Sequence, residues 1–362
     1  MKLHLLFIGN KFIYNSSLRE YILREIEKKT GFIDSITYFK ESDNSLFLYL
    51  EQELNSKNKL LIVTTKQHFT TIGKLICTAT SDNQVLNDNM LIPSKSNIYE
   101  NGTYLLEHED SITNVLHVDE MQEIPQILLP FEDSNATMHI FDEDRESAYA
   151  LLNPIAQTYD VTLDIVQLID GWLKIDIKSK KYGNISKFIS SAKQLLPKKL
   201  IASSCIATYI IEKLSHQNKK ISFAESCTGG LLTYFFTKNN GASKILDGSL
   251  ITYSNSLKEN WLGVQAKTLE EFGAVSNEVV LEMSEGVMNV SEADYTLSIS
   301  GIAGDGGGTE FKPVGTIHIG IRSKIEHKEI HLKLNGDRNY VQYQSVLFAI
   351  KMLIQIDEDM FF

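Results

Sequence analysis

The chain is expected to be an α/β protein, and three stretches say so. The opening KLHLLFIG is followed by NSSLREYILREIEKK and then KLLIVTT, a buried-strand, helix, strand alternation that belongs to β-α-β units of a parallel sheet. In the middle, VTLDIVQLI and WLKIDIKS flank Asp170 and Gly171, and alternation on both sides of an Asp-Gly step is a β-hairpin signal. From SSCIATYIIEKLSHQNKKISFAESCTGG onward the order is again helix, strand, helix.

With 362 residues the sequence has room for two or three domains. The opening β-α-β texture predicts a first domain over roughly residues 1 to 133. A helix at RESAYALLNPIAQTYD, the hairpin and a closing helix at NISKFISSAKQLL predict a small α-β-β-α module over residues 134 to about 200. Residues 201 to 362 make the third domain, and it holds every motif with chemistry in it.

Composition narrows the function. Lys+Arg 35 against Asp+Glu 46 leaves a formal charge of −11, so a phosphate backbone would be repelled and a nucleic-acid partner is not expected. The apolar run of MKLHLLFIGNKF is cut by Gly9, Asn10 and Lys11, too short for a signal peptide or a membrane span. A soluble cytoplasmic protein without a membrane partner is the expectation. Three widely spaced cysteines, Cys77, Cys205 and Cys227, fit a reducing compartment, and neither they nor the scattered histidines make a metal-spaced set.

Four features of the third domain could carry chemistry. AESCTGG, residues 224 to 230, lies between the strand-like ISFA and the helix-like LLTYFF, so Ser226 would stand beside the free N–H groups of a helix start. It is not the G-x-S-x-G elbow, because Ala224 precedes it and the glycines follow. The plainer reading makes Ser226 and Thr228 helix-capping hydroxyls. Next, Ser256 with Glu259 reads as a capping box, and Gly263 as the stop of a short helix. Lys258 in its first turn would feel the positive end of the peptide dipoles, which lowers an ammonium pKa and suits a base. A solvated surface lysine is the alternative. DYTLSISGIAGDGGGTEFKPVGTIHIGI then holds a glycine-rich loop that could let N–H groups approach a phosphate, or could only connect a hairpin. Finally NGDRNYVQYQS sets Asp337 as an N-cap and Arg338 at the mouth of a long helix, placed to clamp a phosphate or to pair with a carboxylate.

The order AESCTGG, ITYSN with Lys258, GAVSNEVV, SGIAGDGGGTEFKPVGT and GDR resembles the C-terminal domain of the CinA family, the competence/damage-inducible proteins. That resemblance implies a three-layer α/β domain and deamidation of nicotinamide mononucleotide, in pyridine-nucleotide salvage and NAD metabolism. It implies Ser226, Tyr253 and Lys258 as catalytic residues, with Ser300 at a position usually written Thr and Arg338 in the family's GDR. Gln342 stands where a second Arg is frequent, and Asp305 where Pro is usual. Residues 1 to 133 resemble the family's molybdopterin-binding-like domain and the middle module its KH-type insert. In relatives the first domain carries a GGLGPT stretch and paired aspartates and is associated with ADP-ribose pyrophosphatase activity. Here the place reads TTKQHFTTIGK, without the glycines or the carboxylates. The middle module lacks a GXXG clamp, which argues against RNA.

The expected reaction is hydrolysis of a carboxamide, with Ser226 as nucleophile, Lys258 as base and Tyr253 orienting or relaying the proton. N–H groups over Thr228, Gly229 and Gly230 would take the oxyanion or a phosphate. Glu225, Ser300, Gly301, Gly304 and Arg338 would contact the nucleotide, with no metal or other cofactor. Two other readings stay open: a nucleotide-binding or scaffold protein that has lost activity, and a pyrophosphatase working through the first domain. Whether the protein is a homodimer is left open.

Overall fold

The computed structural model describes residues 1–130, 135–304 and 306–362; the expected boundary at residues 133 and 134 and the position of Asp305 lie outside them. Two compact units result, Met1–Asn135 and Ala136–Phe362.

The first unit is built on a six-stranded sheet in the order Ser35–Phe39, Lys2–Ile8, Asn58–Thr64, Ser111–His117, Thr103–His108, Ser96–Glu100. Its first four strands are parallel and the last two antiparallel. Period-two alternation sends Leu3, Leu5 and Phe7 to one face, under helix Ser16–Thr30, and Leu6 and Ile8 to the other, under helices Leu46–Leu54 and Lys66–Ala79. Both faces are covered, as the apolar strands KLHLLFI and NKLLIVT require.

In the second unit the hairpin pairs Val161 with Ser179 through Ile169 with Trp172, and Gly171 takes φ 65° in the turn. The module is larger than α-β-β-α. Strands Asn135–Phe141 and Leu200–Ile201 extend the hairpin into a four-stranded sheet that helices Arg145–Thr158 and Ile185–Leu195 cover on one face. Nor does a boundary at 200 separate two cores: Phe141, Ile169, Trp172 and Ile201 pack in one cluster with Ile206, Phe223 and Leu353.

The remaining residues form a five-stranded sheet in the order Leu246–Ile251, Ile221–Glu225, Tyr295–Gly301, Thr316–Ser323, His327–Lys333. The first three strands are parallel and the last two antiparallel. Phe223 faces a core shared with helices Ile206–His216, Leu231–Thr237 and Arg338–Ile356, and its neighbour Ala224 faces helices Asn255–Leu262, Ala266–Phe272 and Asn277–Ser291. The result is a three-layer α/β/α sandwich. After Ile221–Glu225 the chain adds its next strand on one side and the following strand on the other, so the order reverses there. The crevice outside the carboxyl ends of such strands is where open α/β sheets place ligands.

Candidate active site

Ser226 follows directly on the central strand. Its N–H donates to the Ile299 carbonyl at 2.9 Å, which extends the sheet by one residue before the chain turns. Gly229 and Gly230, at φ 58° and 103°, make the turn, a backbone form costly for a side-chain-bearing residue. The glycines are there for the turn and not for close approach of a phosphate. The Gly229 N–H donates to the Ser226 carbonyl at 3.1 Å and the Gly230 N–H to Glu225 Oε2 at 2.9 Å.

Glu225, expected to contact substrate, is fully buried and turned inward. Its Oε2 accepts from Thr228 Oγ1 at 2.7 Å and from the N–H groups of Gly230 and Leu232; its Oε1 accepts from the Thr233 N–H at 2.9 Å and hydroxyl at 2.6 Å. A carboxylate at a helix start satisfies donors that have no partner within the helix, and its charge suits the dipole. The Thr228 hydroxyl is committed to it as well. Of the N–H groups in this turn, those of Cys227 and Thr228 donate to no other residue among those described.

Lys258 comes from helix Asn255–Leu262. That helix is capped by Ser254, whose hydroxyl accepts from the Leu257 N–H, two residues before the Ser256 cap that the spacing suggests; the stop at Gly263, φ 69°, is as expected. The shift moves Lys258 to the end of the first turn and aims it at the sheet. It is 1% exposed, not a surface lysine. Its Nζ lies 3.1 Å from Ser226 Oγ, 2.6 Å from the Thr252 carbonyl and 3.5 Å from the Tyr253 carbonyl. Burial lowers its pKa from the ordinary lysine value, and the Cys227 thiol opposes that shift. A neutral amine has two N–H donors and one lone pair. With the two carbonyls taking the donors, the lone pair is left for the serine hydroxyl.

The other expected residues divide into rim and frame. Tyr253 is 61% exposed, and its hydroxyl accepts from an Arg338 guanidinium N–H at 2.8 Å; that hydroxyl makes no hydrogen bond to Ser226 or Lys258, so a proton relay through it is not what this geometry offers. Gly304 is where a Cβ would come within 2.8 Å of the Arg338 guanidinium, so its lack of a side chain lets Arg338 lie across the loop. Ser300, 1% exposed, donates to the Ala274 carbonyl at 2.6 Å and serves as a tie to the neighbouring layer instead of a substrate contact. At Gly301 a Cβ would meet Ile317 Cδ1 at 2.3 Å, so this glycine is required by strand packing. The glycine-rich loop joins two antiparallel strands, closed at its base by the Gly315 N–H on the Ile302 carbonyl at 2.7 Å.

Cys227 sits in the core beside Ser226. It is buried against the first helical layer, and burial pushes its thiol up to about 12, opposite to the lowering a helix start would give. Sequence reasoning misses Thr252 altogether and marks Gln342 only as standing where a second Arg is frequent. Thr252 supplies the carbonyl that receives Lys258, and its own N–H is held by the Glu225 carbonyl at 2.9 Å. Gln342, one turn after Arg338, donates to the Cys227 carbonyl at 2.6 Å. Neither works through a reactive side chain, so residue type gave no signal. Among the described residues no group of three His, Cys, Asp or Glu side chains could hold a metal ion, and no helix is long and apolar enough to cross a membrane.

Residues 204–356 match the family model described as the CinA C-terminal domain. A CinA-like protein of Fervidobacterium nodosum is 42% identical over 144 residues, and one of Thermotoga sp. strain RQ2 is 44% identical over 146 residues. Each match covers 40% of this chain and 35% of the relative, so the chain aligns with about a third of the length of these relatives. Among solved structures, the competence/damage inducible protein CihA from Agrobacterium tumefaciens is 34% identical, covering 42% of this chain and 93% of that one, with a TM-score of 0.41. Through the segment that contains Ser226, Tyr253, Lys258 and Arg338, the chain belongs to the CinA family.

Proposed function

We propose that the domain containing Ser226 hydrolyses the carboxamide of nicotinamide mononucleotide to nicotinate mononucleotide and ammonia. The observation that carries the reading is the buried contact of Lys258 Nζ with Ser226 Oγ at 3.1 Å. A carboxamide is a poor electrophile and a neutral serine a poor nucleophile, so the reaction needs a base on the hydroxyl and donors for the oxyanion. A lysine with a lowered pKa is such a base.

In this scheme Ser226 Oγ attacks the carboxamide carbon and its proton passes to Lys258 Nζ. The oxyanion is received by the N–H groups of Cys227 and Thr228, the two in the turn that donate to no other residue among those described. Lys258 then gives its proton to the leaving nitrogen, ammonia departs, and an acyl ester remains on Ser226. Water attacks that ester, losing its proton to Lys258, which returns a proton to the departing Ser226 Oγ as the acid is released. Arg338 at the rim is the group for the nucleotide phosphate, exchanging its bond to the Tyr253 hydroxyl for the bidentate contact that guanidinium favours. No step calls for a metal or a cofactor.

Incubation with nicotinamide mononucleotide tests the reading. Ammonia should appear in equal amount to a product one mass unit heavier, as amide becomes acid. Unchanged substrate with the protein folded would favour a nucleotide-binding protein without this activity.

A further inference from the structure

We propose that Glu225 is a positioning residue for Ser226: its carboxylate acts as a built-in anion at the start of helix Leu231–Thr237 and thereby holds the turn that aims the serine hydroxyl at Lys258. The inference rests on the reading of Ser226 and Lys258 as nucleophile and base. It adds a residue that touches neither of them through its side chain.

Five donors converge on this one fully buried carboxylate: the Thr228 and Thr233 hydroxyls and the N–H groups of Gly230, Leu232 and Thr233. A helix of seven residues is too short to hold its own first turn by propensity. The carboxylate therefore supplies the fixed point. Its backbone is locked in the central strand, with the carbonyl accepting from the Thr252 N–H at 2.9 Å, while its side chain reaches forward to residue 233. Residues 226 to 229 are thus spanned by a tie anchored at both ends. The Ser226 N–H on Ile299 and the Gln342 amide on the Cys227 carbonyl add lateral ties. Little rotation is left to the backbone of Ser226, and its Oγ falls 3.1 Å from Lys258 Nζ. The same Glu225 residue, through its carbonyl, also fixes the chain entering Thr252, whose carbonyl receives that lysine. Nucleophile and base are both referenced to one residue.

A glutamine cannot replace it. One oxygen would become an NH2 group facing N–H and O–H donors, and buried donors set against donors have no partner.

The test reads the reactivity of Ser226 directly, in the full chain, with an alkyl fluorophosphonate. Ser226 Oγ forms a bond to phosphorus, the P–F bond breaks, fluoride leaves, and the serine proton passes to Lys258. The rate constant per labelled serine and the final stoichiometry are measured against pH. A structural role alone would lower the stoichiometry, because unfolded molecules are lost, but not the rate of those that label. For Glu225→Gln we expect the rate to fall at least tenfold while its pH midpoint, set by Lys258, stays where it is in the wild type. A folded Glu225→Gln that labels within twofold of the wild-type rate overturns the proposal and leaves the Ser226–Lys258 reading standing. Should that variant not fold, Thr228→Val removes one of the five donors and is expected to slow labelling several-fold; a wild-type rate there overturns the proposal equally. A wild-type chain that does not label would overturn the Ser226–Lys258 reading itself, and this inference with it.

Discussion

Lys258 is the residue on which the proposed chemistry depends, because it is a cation's side chain kept 1% exposed with two carbonyls and a hydroxyl for neighbours. Burial lowers its pKa from 10.5, so kcat/KM should rise with pH as the amine loses its proton, with a midpoint below the ordinary lysine value. The same shift affects stability. The folded value lies below the unfolded one, so the unfolded chain holds the extra proton between them, and stability should rise with pH across that window. Replacing Lys258 by Met should lower kcat by about a hundredfold or more with a much smaller change in KM, and should raise stability by about 1 kcal/mol, since an active-site group held against its solvation is a common source of lost stability. Steady-state ammonia release and thermal unfolding check the two halves; a raised KM with kcat retained would contradict the first. At the adjacent position, Cys227→Ala should keep most of the activity and Ser226→Ala should lose it, because a thiol pushed up to about 12 has almost no thiolate at neutral pH. Thiol alkylation that abolished activity in the wild type but not in Cys227→Ala would move the nucleophile one residue along.

The scale of the element decides where these side chains point. Gly230 at φ 103° stands where the strand turns into helix Leu231–Thr237, and a Cβ there would meet Ile251 Cδ1 at 3.2 Å. Gly230→Ala should therefore destabilise the chain by at least about 1 kcal/mol and slow the reaction, measured by denaturant unfolding and by kcat; an alanine that left both unchanged would mean the turn is not held as described. Much at this scale was legible in the sequence. The hairpin at Asp170-Gly171 showed because period two is unambiguous on both sides, and the stop at Gly263 because a left-handed cap selects glycine. Ser256 was the wrong cap because Ser254 and Ser256 offer the same hydroxyl, and only the path of the chain leaving Leu246–Ile251 decides between them. Strand Asn135–Phe141 escaped notice although Ala136, Met138 and Ile140 alternate with Thr137 and His139, because the run is short and it pairs with residues distant in sequence. Glu225 could be read as a site residue but not as an internal anion, because its partners are mostly N–H groups, set by the angle between strand and helix, that no residue type encodes.

At the scale of the whole molecule the chain divides after Asn135, and Ala136–Phe362 shares cores across its two sheets. A fragment of residues 136–362 should fold and keep the proposed activity, whereas one starting at Leu200 loses Phe141, Ile169 and Trp172 from the core around Ile206 and Phe223 and should be markedly less stable. Comparing their unfolding curves checks this; equal stability would show that the module is only appended. Residues 1–135, with TTKQHFTTIGK in place of a glycine-rich, carboxylate-bearing stretch, should release no AMP from ADP-ribose with any divalent ion. In the proposed reaction a neutral Lys258 takes the proton of Ser226, and the kcat of Lys258→Arg for ammonia release from nicotinamide mononucleotide measures that step most directly. Guanidinium keeps the charge but stays protonated at any working pH, so kcat should fall by about a hundredfold, nearly as far as for Lys258→Met. A near-normal kcat would show that position 258 acts only as a charge and that the base lies elsewhere.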